Sequence, residues 1–236
     1  MTNKTILATL VFSFICIFCQ AQKKSDRGDF YTEEIPLESF DKLNVKGVFN
    51  VYLQHSNEES LLIETNRDKH DLISVDVVNG RLNIGMKNKR HLNIKKMNLY
   101  INYKSNESMH IDIVGNVIAD DVIEGNHLDI TLEGVGNSSI IVRCDDLDAE
   151  FSRVGNIELA GSADNAYLDS NCTGNLSCED LTAQHLKLRS NQIGNIKVFA
   201  DQTLDLETSG VGNVSYSGDA KVVNLDATGV GKVRKH

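Results

Sequence analysis

Apolar and polar residues alternate along this chain in blocks, and the blocks recur at a nearly fixed distance. They fall into register when the last residue of a repeated Val-Gly-Asn motif is set at position zero. The motif returns as Val114-Gly115-Asn116, Val135-Gly136-Asn137, Val154-Gly155-Asn156, Thr173-Gly174-Asn175, Ile193-Gly194-Asn195, Val211-Gly212-Asn213 and Val230-Gly231-Lys232. Nine residues before the asparagine stand Leu128, Leu147, Ala166, Leu186, Leu204 and Val223; seven before it stand Ile130, Ala149, Leu168, Leu188, Leu206 and Leu225. Between them lie Asp129, Asp148, Tyr167, Lys187, Asp205 and Asn224. After the corner the alternation resumes, with Val117, Ile157, Leu176, Ile196 and Val214 one residue on. Period two with one apolar side predicts strands that bury one face. The motif glycines are 21, 19, 19, 20, 18 and 19 residues apart, and a sustained period near nineteen predicts a solenoid of coils stacked on their neighbours. Each coil reads as strand, Gly-Asn corner, strand and short polar return, such as Ala160-Gly161-Ser162-Ala163-Asp164. Asp120-Asp121 and Asp145-Asp146 fall in these returns and read as turn residues.

Glycine at the corner supplies the positive φ that a sharp bend often needs. Asparagine at the same place in successive coils is expected to form an amide ladder of Asn116, Asn137, Asn156, Asn175, Asn195 and Asn213. Such a column reads as structural rather than ligand-binding. Lys232 ends it and begins the basic tail Lys232-Val233-Arg234-Lys235-His236, a polar terminus that would stop end-to-end growth.

The N-terminal half is less regular. Leu43 to Leu53 matches the coil template, with Phe49 in place of glycine. Leu61-Leu62-Ile63-Glu64 and Leu99-Tyr100-Ile101-Asn102-Tyr103 read as strands. Val75 to Ile84 reads as a hairpin about Asn79-Gly80, because Asn-Gly between alternating runs favours a two-residue turn. Residues 37–236 show no internal boundary, and roughly eight coils at about 4.8 Å each predict a rod near 40 Å long.

The first 21 residues stand apart. Lys4, an apolar run from Ile6 to Phe18 and Cys19-Gln20-Ala21 have the layout of a secretory signal peptide cleaved after Ala21, with 22–36 as linker. Acylation of Cys16 or Cys19 is the alternative, against which Ile15 and Phe18 argue. The run is short for a membrane span, which needs about 20 apolar residues. The expected location is therefore the periplasm, the outer-membrane surface or the medium. Without Lys4 the 24 basic residues become 23 against 33 acidic, a net charge of −10, which disfavours nucleic acid and anionic membranes as partners. Cys144, Cys172 and Cys178 would remain; an odd count leaves at least one thiol free. Cys144 and Cys178 fall on inward positions, and a Cys172–Cys178 bridge is the alternative for that pair.

Little here suggests catalysis. The outward acidic column of Asp129, Asp148, Glu150, Asp169, Asp205, Glu207 and Asp226 is broken by Lys187 and Arg189, as in cross-strand charge compensation. The histidines (55, 70, 91, 110, 127, 185 and 236) lack metal-ligand spacing and read as surface residues. No cofactor is implied. The one concentrated basic segment, Lys87, Lys89 and Arg90 followed by Lys95 and Lys96, reads either as a solvated loop or as a site for a sulfated or carboxylated glycan.

Taken together, the signal peptide, the opening Phe40-Asp41-Lys42-Leu43-Asn44-Val45-Lys46-Gly47-Val48-Phe49-Asn50-Val51, the segment Val77-Val78-Asn79-Gly80-Arg81-Leu82-Asn83-Ile84, the Gly-Val-Gly-Asn corners and the closing Thr228-Gly229-Val230-Gly231-Lys232-Val233 resemble the head GIN domain family of auto-transporter adhesins, found in exported proteins of Bacteroidetes. The resemblance covers 37–236. It implies an all-β, right-handed parallel β-helix-like solenoid and brings no catalytic residues. The expected function is an exported, non-enzymatic, adhesin-like module of the cell envelope or surface that binds a glycan or protein. The alternatives are a periplasmic structural or regulatory accessory to another envelope protein and, last, a glycan-active β-helix enzyme.

Overall fold

The structure, a computed structural model, describes residues 30–66, 70–87 and 97–236. The expected signal peptide (1–21) and Lys89, Arg90, Lys95 and Lys96 of the basic segment lie outside the described residues. In chain order the strands are β1 (Phe30–Pro36), β2 (Lys42–Gly47), β3 (Asn50–His55), β4 (Ser60–Asn66), β5 (Ile73–Val78), β6 (Arg81–Met86), β7 (Met97–Tyr103) and β8 (Ser108–Val114). They continue with β9 (Val117–Val135), β10 (Ser138–Val154), β11 (Ile157–Ser170), β12 (Leu176–Ile193), β13 (Ile196–Val211), β14 (Val214–Ser217), β15 (Lys221–Ala227) and β16 (Val233–Lys235). All belong to one sheet wound into a β-solenoid of about 7 turns, with coils of about 19 residues.

Five long strands, β9 to β13, make the regular body. Each leaves one corner, runs round the coil and ends at the next, paired in parallel with the coils on either side. The apolar columns read from the sequence fill the interior: Leu128, Leu147, Ala166, Leu186 and Leu204 are buried, as are Ile130, Ala149, Leu168, Leu188 and Leu206. Within β9 to β13 no turn forms at the expected polar returns and the chain stays extended there; in the last coil it bends at Gly218-Asp219, between β14 and β15. Asp120-Asp121 is a two-residue bulge inside β9, since Ile140 pairs with Ala119 and Ile141 with Val122. That bulge accounts for the 21-residue spacing after Gly115, against 19 after Gly136. The shorter step after Gly194 is likewise absorbed between Cys178 and His185 of β12 and their partners in β13. Coil length therefore varies opposite the corner and never at it.

The N-terminal layers are wound out of chain order. β2 lies between β6 and β8, and β3 between β7 and β9, all in parallel. β4 then runs antiparallel on β7, β1 antiparallel on β4, and β5 antiparallel on β6, so three reversed or flanking strands close this end. The expected linker 22–36 is thus strand from Phe30 onward. The β5–β6 hairpin forms as expected, with Asn79 and Gly80 at φ 51° and 73° in its turn. Closing the end uses up chain that would otherwise wind further coils, which is why the count is nearer seven than eight. At the other end the expected polar terminus covers one face only. β16 carries Arg234 and Lys235 beside β14, but β15 leaves Val223 and Leu225 exposed on the other.

Candidate functional site: the corner edge

The corner is held by a repeated hydrogen bond from main chain to side chain. The N–H of Asn137 donates to Asn116 Oδ1 at 3.0 Å, that of Asn156 to Asn137 at 2.9 Å and that of Asn175 to Asn156 at 3.0 Å. The N–H groups of Asn195, Asn213 and Lys232 continue the series at 2.9, 3.0 and 3.2 Å. Amide-to-amide bonds accompany two steps only, Asn175 to Asn156 at 3.2 Å and Asn213 to Asn195 at 3.4 Å. The amide ladder is therefore chiefly an Oδ1-to-backbone ladder, and it runs along an exposed edge. It also extends further than the repeat motif does. Asn116 N–H donates to Asn50 Oδ1 at 3.1 Å, Asn50 Nδ2 to Asn98 Oδ1 at 3.0 Å, and Asn98 Nδ2 to Glu64 Oε2 at 2.9 Å. Asn98 escaped the motif because no Val-Gly precedes it.

Glycine before each asparagine is demanded by the stack as much as by the bend. A Cβ on Gly155, at φ 141°, would lie 2.2 Å from the carbonyl oxygen of Gly136 in the coil below. Beneath this corner the structure places a buried cation that sequence reading missed. The Arg153 guanidinium donates from Nε to Gly136 O and from Nη2 to Gly115 O, both at 3.0 Å. Burial lowers its pKa from the usual arginine value. It fits where Gly134, one coil below on the same column, has no side chain.

The first residue of each motif forms a second row beside the asparagines. Val114, Val135, Val154, Thr173, Ile193, Val211 and Val230 stand in register on successive coils. Their side chains point outward: Val135 is 47% exposed, Ile193 59% and Val230 73%. Val48 prolongs the row into the first coil. β-Branched neighbours in register gain cross-strand packing, yet each of these apolar residues keeps a large exposed area, most at Val230 on the last corner. The result is a ridge along the rod, aliphatic except at Thr173, between the asparagine row and a polar row of Asp112, Glu133, Ser152, Asn171, Asn191, Ser209 and Thr228. The signal was in the sequence, but these positions look like part of the corner until one sees that they point outward.

Farther from the corner the outward charges pair between coils. Lys187 Nζ meets Asp205 Oδ2 at 2.8 Å and Arg189 Nε meets Glu207 Oε2 at 3.1 Å. The hydrogen bond from Lys187 holds the Asp205 carboxyl below its ordinary pKa. Asp169, Arg189, Asn191, Glu207, Ser209 and Asp226 line a shallow polar groove of about 320 Å³ alongside the ridge. Of the basic segment, Lys87 is described, and its N–H donates to Leu72 O at 2.8 Å. Cys144, Cys172 and Cys178 are all free and buried, so the alternative bridge is absent; burial pushes the Cys178 thiol up to about 12. Among the described residues no three His, Cys, Asp or Glu gather as metal ligands, and no helix is long and apolar enough to cross a membrane.

Fold and corner together define a parallel β-solenoid built on a Gly-Asn ladder. Residues 39–220 match the family described as "Putative auto-transporter adhesin, head GIN domain", and the chain belongs to that family. A crystal structure of a "putative adhesin" from Bacteroides fragilis NCTC 9343 is similar at 27% identity and TM-score 0.81, covering 88% of this chain and 97% of that one. A "putative adhesin" from Parabacteroides merdae ATCC 43184 shares 20% identity, TM-score 0.64 and the same coverage. A "putative lipid binding protein" from Parabacteroides distasonis ATCC 8503 shares 22% identity and TM-score 0.66, covering 89% and 97%. The last two show the fold alone. No curated protein matches the chain.

Proposed function

We propose that this chain is an exported, non-enzymatic, adhesin-like binding module of the cell envelope or cell surface, and that its corner edge engages an extended glycan or polypeptide. The observation that carries this reading is the aliphatic ridge. Contiguous exposed apolar surface rimmed by polar groups is uncommon on soluble proteins and marks interaction sites. A rigid row with a step of about 4.8 Å suits a ligand that lies along it rather than one that enters a pocket. The adhesin name of the family and of the Bacteroides fragilis neighbour supports a surface-binding role.

Protease accessibility of the native protein in intact cells tests the location. Digestion in unbroken cells supports the surface reading; protection until the outer membrane is opened favours a periplasmic accessory instead. The ridge is tested by the double substitution Val135→Glu and Ile193→Glu in the soluble protein, screened against immobilised glycans, matrix proteins and envelope extracts. Both side chains are about half exposed, so the melting midpoint should stay near that of the parent while retention is lost. Retention unchanged by the two glutamates would rule out the ridge as the binding surface.

A further inference from the structure

The last coil of the rod has no neighbour on its far side. β15 pairs only with β13 and β16 only with β14, so among the described residues each keeps one edge of unpaired N–H and C=O groups. The inward columns run out at the same place. Leu225 stands over the buried Leu206 and Val233 over the buried Val214, and the described residues place no strand above either. Val223 beside them is exposed. Between the two strands a pocket of about 40 Å³ opens toward the interior, with Val214, Ala227 and Val233 among its lining residues.

This end also carries cations without partners. In the coils beneath it, basic side chains on the wall are matched one coil away: Lys187 by Asp205, Arg189 by Glu207 and Lys197 by Glu179. Among the described residues no such pair reaches Lys232, Arg234 or Lys235, all of them exposed. Lys235 stands on the column of Cys178, Val198 and Tyr216, which lie in the core or pack against it. Along β15, by contrast, the single base Lys221 is balanced by the single acid Asp226. The open end is therefore apolar over β15 and basic over β16.

We propose that this end binds an extended segment of another protein, which adds to the stack as its next coil. Its aliphatic residues lie over Leu225 and Val233, and its acidic residues match Arg234 and Lys235. Main-chain bonds to a free edge give affinity to any strand, and the rows of side chains above and below give the choice. A basic strand would set like charges against Arg234 and Lys235, and a neutral one would leave them unmatched. A second copy of this chain fits poorly. Tail to tail, two β16 strands bring their cations together. Head to tail, the other end offers the edge of β1, where Pro36 has no N–H to give. The basic tail thus stops the rod from growing on itself while it admits an acidic strand.

The test uses a peptide with the sequence of Leu204 to Tyr216, the segment that lies directly under β15 and β16 in the fold. It is made in two forms, one with Ser215→Glu and Tyr216→Glu and one with Ser215→Lys and Tyr216→Lys. Binding to the purified full chain is read by fluorescence anisotropy and its place by hydrogen exchange. The glutamate peptide should bind at least about tenfold more tightly than the lysine peptide and slow amide exchange in β15 and β16. Leu225→Glu in the full chain, at a half-exposed position, should keep the parent's melting midpoint and weaken binding about tenfold. Arg234→Glu with Lys235→Glu should reverse the preference between the two peptides. Four results would each overturn the proposal: no binding of the glutamate peptide, equal or tighter binding of the lysine peptide, protection outside β15 and β16, or self-association of the full chain that Leu225→Glu abolishes. None of these depends on the ridge or on where the protein resides in the cell.

Discussion

Leu61 and Leu225 both stand on strands at the ends of the solenoid, yet Leu61 is fully buried and Leu225 is 48% exposed. The difference lies in what comes next along the axis. Beyond β4, which carries Leu61, lies β1, and β5 flanks β6 on the opposite face. Beyond β15, which carries Leu225, the described residues place no further strand. In a stack of coils a residue is buried by its neighbours above and below, so an inward position alone does not bury it. Three dedicated strands close one end, while a short basic strand covers half of the other. Open edges of this kind are where strand pairing with other chains begins.

This contrast between ends, and between the ends and the middle, can be tested by substitution. The largest effect is expected in the middle, where both neighbours are present. Gly155→Ala forces a Cβ into the carbonyl below at a φ that alanine avoids, and should cost at least about 3 kcal/mol. A denaturant midpoint within error of the parent would show that the corner can relax. Next, Leu61→Ala should cost about 2–5 kcal/mol and Leu225→Ala under about 1 kcal/mol. Equal losses in the two variants would mean that Leu225 is covered in solution. The smallest effect concerns the ladder. Asn175→Ala leaves the Asn195 N–H without its acceptor and should cost about 1–2 kcal/mol, whereas Lys232→Ala, at the last corner, should stay within about 0.5 kcal/mol. Unfolding curves of unchanged slope are needed for each comparison.

The body of the fold is legible in the sequence because each coil repeats the same local demands. Leu188 and Leu206 face inward for the same reason, and the period-two pattern states it directly. The closed end is not legible in that way. Nothing local in Leu43 to Leu53 says that this coil lies between β6–β7 and β8–β9, since pairing between segments distant in sequence follows from how the whole end closes. Asn98 and Glu64 join the ladder through that same closure. At the corner, the repeated asparagines stand out in the sequence while the outward valines do not, because a β-branched residue in a strand pattern reads equally well as core. His55 and Asp121 read as a surface histidine and a turn acid; only the ends of β3 and β7 meeting the bulge of β9 make them neighbours of Tyr103.

Coils of 18 to 21 residues all close on the same Gly-Asn corner, so in this chain girth and pitch are set independently. The corner acts as a fixed ruler, advancing one strand spacing per turn whatever the length of the loop it fastens. The opposite side is a free margin, where residues can be gained or lost in ones and twos without shifting any rung above. A chain built this way can remodel one flank while the ridge on the other keeps its step.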